Sequence, residues 1–174
     1  MLFIQSLTWL LLIMNPLFDF TPQSNLANWN IVDDVVMGGR SFGQFELDKD
    51  GHGVFSGNIS LENNGGFSSV RYAMPQSDIS SYTKFVIRLK GDGKTYQFRA
   101  KANRRDFQSY TTYIDTSGDW ETIEIPFADL YPVFRGRRLN MENFEGKSAQ
   151  EIGFLFGNKK PESFKLIIDN IELK

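Results

Sequence analysis

Short runs in which apolar and polar residues alternate dominate this chain. In Thr95–Lys101, for example, Tyr, Phe and Ala occupy every second position and Gln, Arg and Lys the positions between them, which is the pattern of a half-buried strand. Similar runs cover residues 42–47, 54–61, 67–74, 84–90, 95–101, 107–115, 120–126, 152–157 and 164–173. Turn residues separate them about every 8–12 positions. The pattern predicts an all-β fold, an antiparallel β-sandwich of jelly-roll type with about nine strands.

Two glycine-containing turns predict hairpins. Gly91-Asp92-Gly93 lies between two alternating runs and predicts that these runs pair. The turn at Thr116–Asp119 predicts the same for the runs 107–115 and 120–126. The longest stretch without alternation is Tyr131–Gln150, which we predict to be a loop. Loops longer than about 12–15 residues are usually functional or disordered.

Residues 1–16 form an apolar leader without lysine or arginine. A secretory signal has a basic start and a small-residue cleavage site, and about 20 apolar residues are needed to span a bilayer. Three interpretations stay open: a mis-assigned start with Met14 as initiator, a weak signal or anchor, or a packed segment. We expect no stable transmembrane anchor and one β-sandwich domain over residues 17–174. The predicted location is cytoplasmic, including the periphery of a membrane, with export through the leader as the alternative.

Composition narrows the chemistry. The net charge is −2 and the isoelectric point about 5.5, so we predict no nucleic-acid binding. The absence of cysteine excludes disulfides, thiolate metal sites and a cysteine nucleophile. The single histidine, His52, lies in an Asp-Gly-His-Gly turn, where a histidine is usually solvated. No pairing of a nucleophile with a base is visible, so we predict that the protein is not an enzyme.

Two segments carry the densest polar chemistry. Residues 29–40 (WNIVDDVVMGGR) form the first Gly-Gly segment and residues 60–71 (SLENNGGFSSVR) the second. Each combines acids or amides, a glycine pair and an arginine. Glycine tolerates positive φ and close backbone approach, whereas strand interiors seldom contain it. Both segments therefore predict loops of defined structure.

Several residues of these segments have a structural and a ligand-binding interpretation. Asp33 and Asp34 either accept backbone N–H groups in a turn, which we favour, or contact a ligand. Asn63 belongs to an Asn-Gly turn or offers its amide to a polar ligand such as a sugar. Arg71 lies inside an alternating run, where it can bind an anion or pair with a carboxylate. We favour an ion pair between Arg71 and Asp33 or Asp34.

The long predicted loop carries a second candidate surface. Arg135, Arg137 and Arg138 lie beside Phe134 and Tyr131, and arginine with aromatic residues is typical of protein interfaces. We expect this loop and the residues Met37 to Arg40 to form one face that binds a protein partner.

The two Gly-Gly segments and the C-terminal part resemble the complex I intermediate-associated protein family, the assembly factor for respiratory NADH:ubiquinone oxidoreductase. The matching segments are WNIVDDVVMGGRS (29–41), GNISLENNGGFSSVR (57–71), ADLYPVFRGR (128–137) and IGFLFGNKKPESFKLIIDNIEL (152–173). They follow the family's order, and the resemblance covers about residues 17–173. It implies a galactose-binding-like β-sandwich similar to carbohydrate-binding modules. It also implies a chaperone-like role in assembling the membrane complex, with no established reaction.

Residues and resemblance together predict a non-enzymatic, protein-binding assembly factor or scaffold, with membrane respiratory-complex subunits as expected partners. The alternative is a sandwich similar to a carbohydrate-binding module that binds a sugar or another small polar ligand. No cofactor is predicted. Similarity to carbohydrate-binding sandwiches implies one metal alternative, a structural calcium ion held by Asp19 and Asp169. Otherwise Asp169 is a rim residue or the partner of a lysine.

Overall fold

The structure is a computed structural model that describes residues 15–174. Most of the predicted leader therefore lies outside the described residues, and the domain boundary at residue 17 stays a prediction. The strands are β1 (Asn15–Asp19), β2 (Trp29–Asp33), β3 (Phe42–Leu47), β4 (Gly53–Ile59), β5 (Ser68–Asp78), β6 (Lys84–Lys90), β7 (Thr95–Lys101), β8 (Ser109–Asp115), β9 (Trp120–Pro126), β10 (Tyr131–Phe134), β11 (Arg137–Arg138), β12 (Ser148–Phe156) and β13 (Glu162–Leu173).

Three short 3₁₀ turns complete the secondary structure of the described part, at Asp34–Met37, Glu62–Asn64 and Phe127–Asp129. Within residues 15–174 there is no helix of the length and apolarity needed to cross a bilayer.

The strands form two antiparallel sheets. Sheet A has the order β3-β4-β13-β6-β9, and β1 also pairs with β13. Sheet B has the order β11-β10-β8-β7-β12-β5-β2. The predicted fold class, an antiparallel β-sandwich, is confirmed. The described part contains four more strands than expected, namely β1, β2, β10 and β11. These are two to five residues long, too short for alternation to be visible in the sequence.

Both predicted hairpins are wrong, because the strands on either side lie in different sheets. β6 and β9 belong to sheet A, whereas β7 and β8 belong to sheet B. The turn at Gly91–Gly93 therefore crosses between the sheets. The Asp92 carboxylate holds this crossing, since it accepts hydrogen bonds from the Tyr96 hydroxyl (2.9 Å) and the Lys165 N–H (3.0 Å). The observed hairpins join β3 to β4, β7 to β8 and β10 to β11.

The predicted loop Tyr131–Gln150 also contains regular structure, so that prediction is corrected. It begins with the hairpin of β10 and β11 and ends inside β12. The two residues at the tip of the hairpin, Arg135 and Gly136, have φ of 47° and 75°. Two positive φ angles are typical of a type I′ turn. Arginine rarely adopts positive φ, which is why the sequence did not indicate the turn.

Phenylalanine fills the space between the two sheets, as its abundance in the composition indicates. Phe85 of β6 is fully buried. Its ring centroid lies 5.0 Å from that of Phe98 on the facing sheet and 4.9 Å from that of Phe127. Such aromatic pairs contribute about 0.5–1.5 kcal/mol each beyond the burial of their area. The core therefore joins the sheets mainly through ring contacts.

We expect Phe85→Ala to lower the free energy of unfolding by about 3–5 kcal/mol, because it leaves a cavity among these rings. Urea denaturation measures the change. The matched control is Phe42→Ala, since the Phe42 side chain is 58% exposed and its removal should change stability by no more than about 0.5 kcal/mol. Equal losses in both variants would contradict the assignment of the core.

Candidate functional site

The two Gly-Gly segments meet at the carboxylate of Asp34, directly after β2. Asp34 is fully buried. Its Oδ1 accepts a hydrogen bond from the Ser41 N–H (2.9 Å), and its Oδ2 accepts one from the Ser41 hydroxyl. Oδ2 also accepts the N–H groups of Gly66 (2.5 Å) and Phe67 (3.2 Å) in the second segment. One charged group thus joins both loops.

Glycine is required in each segment because the Asp34 carboxylate packs against the backbone there. A Cβ atom at Gly39 would lie 2.3 Å from Asp34 Cγ, and one at Gly65 would lie 2.5 Å from Asp34 Oδ2. Either distance is far shorter than a van der Waals contact. The close backbone approach predicted for the glycine pairs is therefore present at both positions.

The hydrogen bonds keep Asp34 charged. Burial raises the pKa of its carboxyl, but the hydrogen bonds from Ser41, Gly66 and Phe67 lower this pKa by more. The pKa therefore lies below the ordinary value of about 3.9. With both oxygens already accepting hydrogen bonds, Asp34 acts as a structural anchor, in agreement with the favoured turn interpretation.

This anchor positions an exposed apolar turn. The 3₁₀ turn exposes Val35 by 61%, Val36 by 73% and Met37 by 65%, and we call these three residues the apolar tip. The end of the turn is tied to the second Gly-Gly segment, because the Asn63 side-chain amide donates to the Gly38 carbonyl at 3.1 Å. Met37, a predicted binding residue, is therefore accessible, whereas Asn63 has a structural role.

Arg71 does not form the predicted ion pair. It lies opposite Asn30 in the register of β5 and β2, whereas Asp33 lies opposite Ser68, three residues earlier on β5. Within the described residues, no ion pair joins Arg71 to a carboxylate. The Oδ2 atom of Asp33 instead accepts the Gly43 N–H at 3.1 Å. A polar link between the two Gly-Gly segments is present, but the Asp34 carboxylate and backbone N–H groups form it.

The predicted single binding face is divided between two edges of sheet B. The apolar tip follows β2 at one edge, and Arg40 beside it pairs with Glu62 at 2.7 Å. Arg135 and Arg137 lie in the β10–β11 hairpin at the opposite edge. Six strand spacings of about 4.8 Å separate the edges, so they are about 29 Å apart. These residues therefore belong to two surfaces.

A groove of about 280 Å³ lies on the outer face of sheet B, near the hairpin. Its lining includes Gln97, Arg99, Thr111, Tyr113, Tyr131 and Arg138. Arg99 donates from Nε and Nη2 to the Gln97 side-chain oxygen, at 3.2 and 2.8 Å. The Arg138 guanidinium carbon lies 4.6 Å from the centroid of the Tyr131 ring. The groove thus combines aromatic faces with fixed hydrogen-bond donors.

A second, much smaller pocket of about 10 Å³ adjoins the groove at Arg99 and extends to Arg71. Gly153 of β12 lies between them, opposite Arg71 on one side and Arg99 on the other. A Cβ atom at Gly153 would lie 2.4 Å from the Val70 carbonyl oxygen, so the floor between the two arginines is bare backbone. Burial lowers the pKa of Arg99, and the charge of Arg71 lowers it further. No sequence signal indicated Arg99, whereas Arg138 belongs to the basic cluster predicted beside Phe134.

The two aspartates of the calcium alternative have different surroundings. Asp19 lies opposite Asn170 in the register of β1 and β13. Asp169 occupies a bulge, with Oδ1 at 3.7 Å from His52 Nε2 and Oδ2 at 3.7 Å from Arg88 Nε. The group of three metal-capable side chains found in residues 15–174 lies around His52 and includes neither aspartate. The Phe20 N–H donates to the Asp169 carbonyl at 3.0 Å, so Asp19 and Asp169 lie on neighbouring strands. A calcium ion held by both aspartates stays a prediction.

We expect Asp34→Asn to lower the free energy of unfolding by about 1–3 kcal/mol, because the amide nitrogen would face a backbone N–H group and leave it unpaired. Urea denaturation at neutral pH measures this loss. Asp119→Asn, in an exposed turn, is the matched control and should change stability by no more than about 0.5 kcal/mol.

The same variants test the charge of the anchor. Because the folded-state pKa of Asp34 is depressed, its contribution is complete above the unfolded-state pKa and is lost as pH falls through the folded-state value. From about pH 5 to about pH 2, the wild-type protein should therefore lose more unfolding free energy than Asp34→Asn. Parallel pH profiles would show that this carboxylate is not the anchor.

The fold is similar to that of solved carbohydrate-binding modules. A family 11 carbohydrate-binding module of a cellulosomal cellulase from Clostridium thermocellum matches with a TM-score of 0.67 and 22% identity, over 92% of this chain and 93% of that chain. The family 11 module in complex with a β-1,3-1,4-mixed-linked tetrasaccharide matches with a TM-score of 0.66 and 22% identity, over 92% and 94% of the two chains. At this identity the likeness shows the fold alone, an antiparallel β-sandwich.

Sequence comparison gives the family. The mitochondrial complex I intermediate-associated protein 30 of Mus musculus is 23% identical over 177 residues, which cover 88% of this chain and 54% of that protein. This chain spans about half the length of the curated relative it matches. The model of the family described as Complex I intermediate-associated protein 30 (CIA30) matches residues 18–168. The resemblance noted from the sequence is confirmed, and the chain belongs to the complex I intermediate-associated protein 30 family.

Proposed function

We propose that this protein is a non-enzymatic assembly factor that binds a protein partner through the apolar tip. Family membership supports a role in assembling respiratory NADH:ubiquinone oxidoreductase. The single observation that carries the proposal is the exposure of Val35, Val36 and Met37 by 61%, 73% and 65% on a turn anchored from beneath. Contiguous exposed apolar side chains of this kind mark interaction surfaces.

The surroundings of the tip have the composition of an interface. Phe42 and Leu61 are exposed by 58% and 42% beside the same two loops. The exposed ion pair of Arg40 and Glu62 supplies polar groups at their margin. An apolar centre with a polar rim is the usual anatomy of a protein interface. Because the Asp34 anchor holds the turn before a partner arrives, less conformational entropy is lost on binding.

The anchor supports the non-enzymatic interpretation. Asp34 is buried and both of its oxygens accept hydrogen bonds from the protein itself, so it offers no free base to a substrate. Asp33 Oδ2 accepts the Gly43 N–H at 3.1 Å, and Asp33 Oδ1 is enclosed by the protein, away from solvent. A location at the periphery of a membrane belongs to this proposal, since the expected partners are subunits of a membrane complex.

We expect Met37→Asp to reduce the capture of NADH:ubiquinone oxidoreductase subunits from the native cell by about tenfold or more, because a charge in the centre of an apolar contact must be desolvated. Affinity purification with the full chain, quantified by mass spectrometry, measures this. The melting temperature should not change, since the side chain is exposed.

Met141→Asp is the matched control, because Met141 is also exposed, by 44%, and follows β11 at the edge of sheet B opposite to the tip. It should capture the same subunits as the wild-type chain. Undiminished capture by Met37→Asp, or an equal loss in both variants, would rule out the apolar tip as the contact.

The second candidate function is binding of a sugar or another small polar ligand in the groove of sheet B. Its volume of about 280 Å³ is close to the lower end of small-ligand pockets, about 300 Å³. Tyr113, exposed by 58%, and Tyr131 offer ring faces on which a sugar can stack. The Gln97 side chain offers hydrogen bonds beside them. The galactose-binding-like fold is compatible with this candidate.

If the groove binds neutral glucan, the β-1,3-1,4-mixed-linked tetrasaccharide should titrate with a dissociation constant below about 1 mM, near −4 kcal/mol. Tyr113→Ala should then abolish the signal, because it removes a stacking face. Trp120→Ala, on sheet A, is the control and should leave binding unchanged. The absence of binding by the wild-type chain at millimolar sugar would eliminate neutral glucan as the ligand.

A further inference from the structure

Positive charge dominates the groove of sheet B. Its lining and that of the small adjoining pocket include four cationic side chains, Arg71, Arg99, Lys101 and Arg138, and one carboxylate, Glu151. In the register of β12 and β7, Glu151 stands opposite Lys101. The Lys101 Nζ donates to the Asp106 carbonyl at 2.5 Å. Within the described residues no ion pair joins Glu151 to a cation or any of the three arginines to a carboxylate. This excess is local, because the whole chain has a net charge of −2.

The arrangement of two of these arginines is unfavourable in the free protein. Arg71 and Arg99 lie opposite Gly153 on the two strands beside β12, about 9.6 Å apart at two strand spacings, and the charge of Arg71 lowers the pKa of Arg99. Arg99 is half buried, and its only hydrogen-bond partner among the described residues is the neutral Gln97. Like charges held close together in a partly desolvated site repel each other. A bound carboxylate would remove that repulsion, since a guanidinium offers a planar fork of donors that fits it.

The cationic groove lies close to the apolar tip. Arg71 stands opposite Asn30, which is four residues before the Asp34 anchor on the edge strand β2. At about 3.3 Å per residue the separation along the strand is about 13 Å. Arg71 lies one strand spacing from Asn30 and the tip begins one residue beyond Asp34, so a partner segment of about six to eight extended residues can contact the tip and reach Arg71. From there, Arg99 and then Arg138 continue the row of charges across the sheet.

We propose that the groove of sheet B binds an acidic segment of the protein partner, whose Asp or Glu carboxylates sit between Arg71 and Arg99 and beside Arg138. This inference rests on the first proposed function and adds a second contact to the apolar tip. A neutral sugar would leave the arginine charges uncompensated. The nearness of the groove to the tip favours a protein segment over an acidic sugar.

The test uses the full chain and a synthetic ten-residue peptide of alternating Glu and Ser, with the Gln-Ser peptide as its neutral counterpart. Isothermal titration calorimetry at low and at physiological salt measures affinity. The Glu peptide should bind, more tightly at low salt, and the Gln peptide should bind at least about tenfold more weakly. The double variant Arg71→Gln with Arg99→Gln should lose about tenfold or more in affinity for the Glu peptide.

The matched control is Arg104→Gln with Arg105→Gln, which removes the same charge from an exposed loop outside the groove. It should bind the Glu peptide as the wild-type chain does. The groove double variant should melt at the wild-type temperature or above, because it removes two like charges that the fold holds together. A lower melting temperature would assign both arginines a structural role and overturn the proposal.

Three further results would also overturn the proposal. The first is no binding of the Glu peptide at about 1 mM, where even a weak specific contact is detectable, and the second is an equal loss of affinity in the loop control. The third is tighter binding of digalacturonate than of the Glu peptide, which would make the ligand an acidic sugar. Failure of the groove is separable from failure of the apolar tip. If Met37→Asp still abolishes capture of the respiratory subunits, the protein-binding function stands and only the groove is excluded.

Discussion

The buried carboxylate of Asp34 determines the conformation of the two Gly-Gly segments. Asp34 is buried at the end of an edge strand, where an unpaired charge would be very unfavourable. The buried charge is stabilised by N–H groups from two loops that are about thirty residues apart in the chain. The loops must therefore bring bare backbone to the carboxylate, which only glycine allows at Gly39 and Gly65. The same requirement turns the following three residues outward, so the apolar tip is a consequence of how the charge is satisfied.

The sandwich separates its candidate surfaces by strand order. The apolar tip and Arg71 lie near the β2 edge of sheet B, and the hairpin with Arg135 and Arg137 lies at the β11 edge. Between them the outer face carries tyrosines, Gln97 and arginines in a shallow groove. The proposed partner is a protein, and the fold is one on which carbohydrate-binding modules are also built. The charge of the groove is the physical property that distinguishes these two uses of the same face.

Strands of seven residues or more were largely predictable, because alternation over that length reports directly on a buried and an exposed face. The run Thr95–Lys101 shows this well: its apolar positions are buried and its polar positions are half exposed. Alternation does not report which sheet a strand joins. The hairpins predicted at Gly91–Gly93 and Thr116–Asp119 were wrong for that reason, since each turn crosses from one sheet to the other. The prediction of an ion pair for Arg71 was wrong, because in the pairing of β2 with β5 Arg71 lies three residues away from the position opposite Asp33.

The sequence by itself determined the all-β class, the aromatic core, the family and the two glycine-rich loops, since these follow from local period, composition and motif. Only the tertiary structure decided that Asp34 rather than Asp33 is the anchor, that Asn63 ties the loops together, and that Arg71 and Arg99 lie opposite Gly153 on the two strands beside β12. Asp33 and Asp34 are adjacent and have the same side chain, so the sequence does not distinguish their roles. Their roles differ because the pairing of strands distant in the chain sets which side chain is enclosed by donors and which charges are brought together.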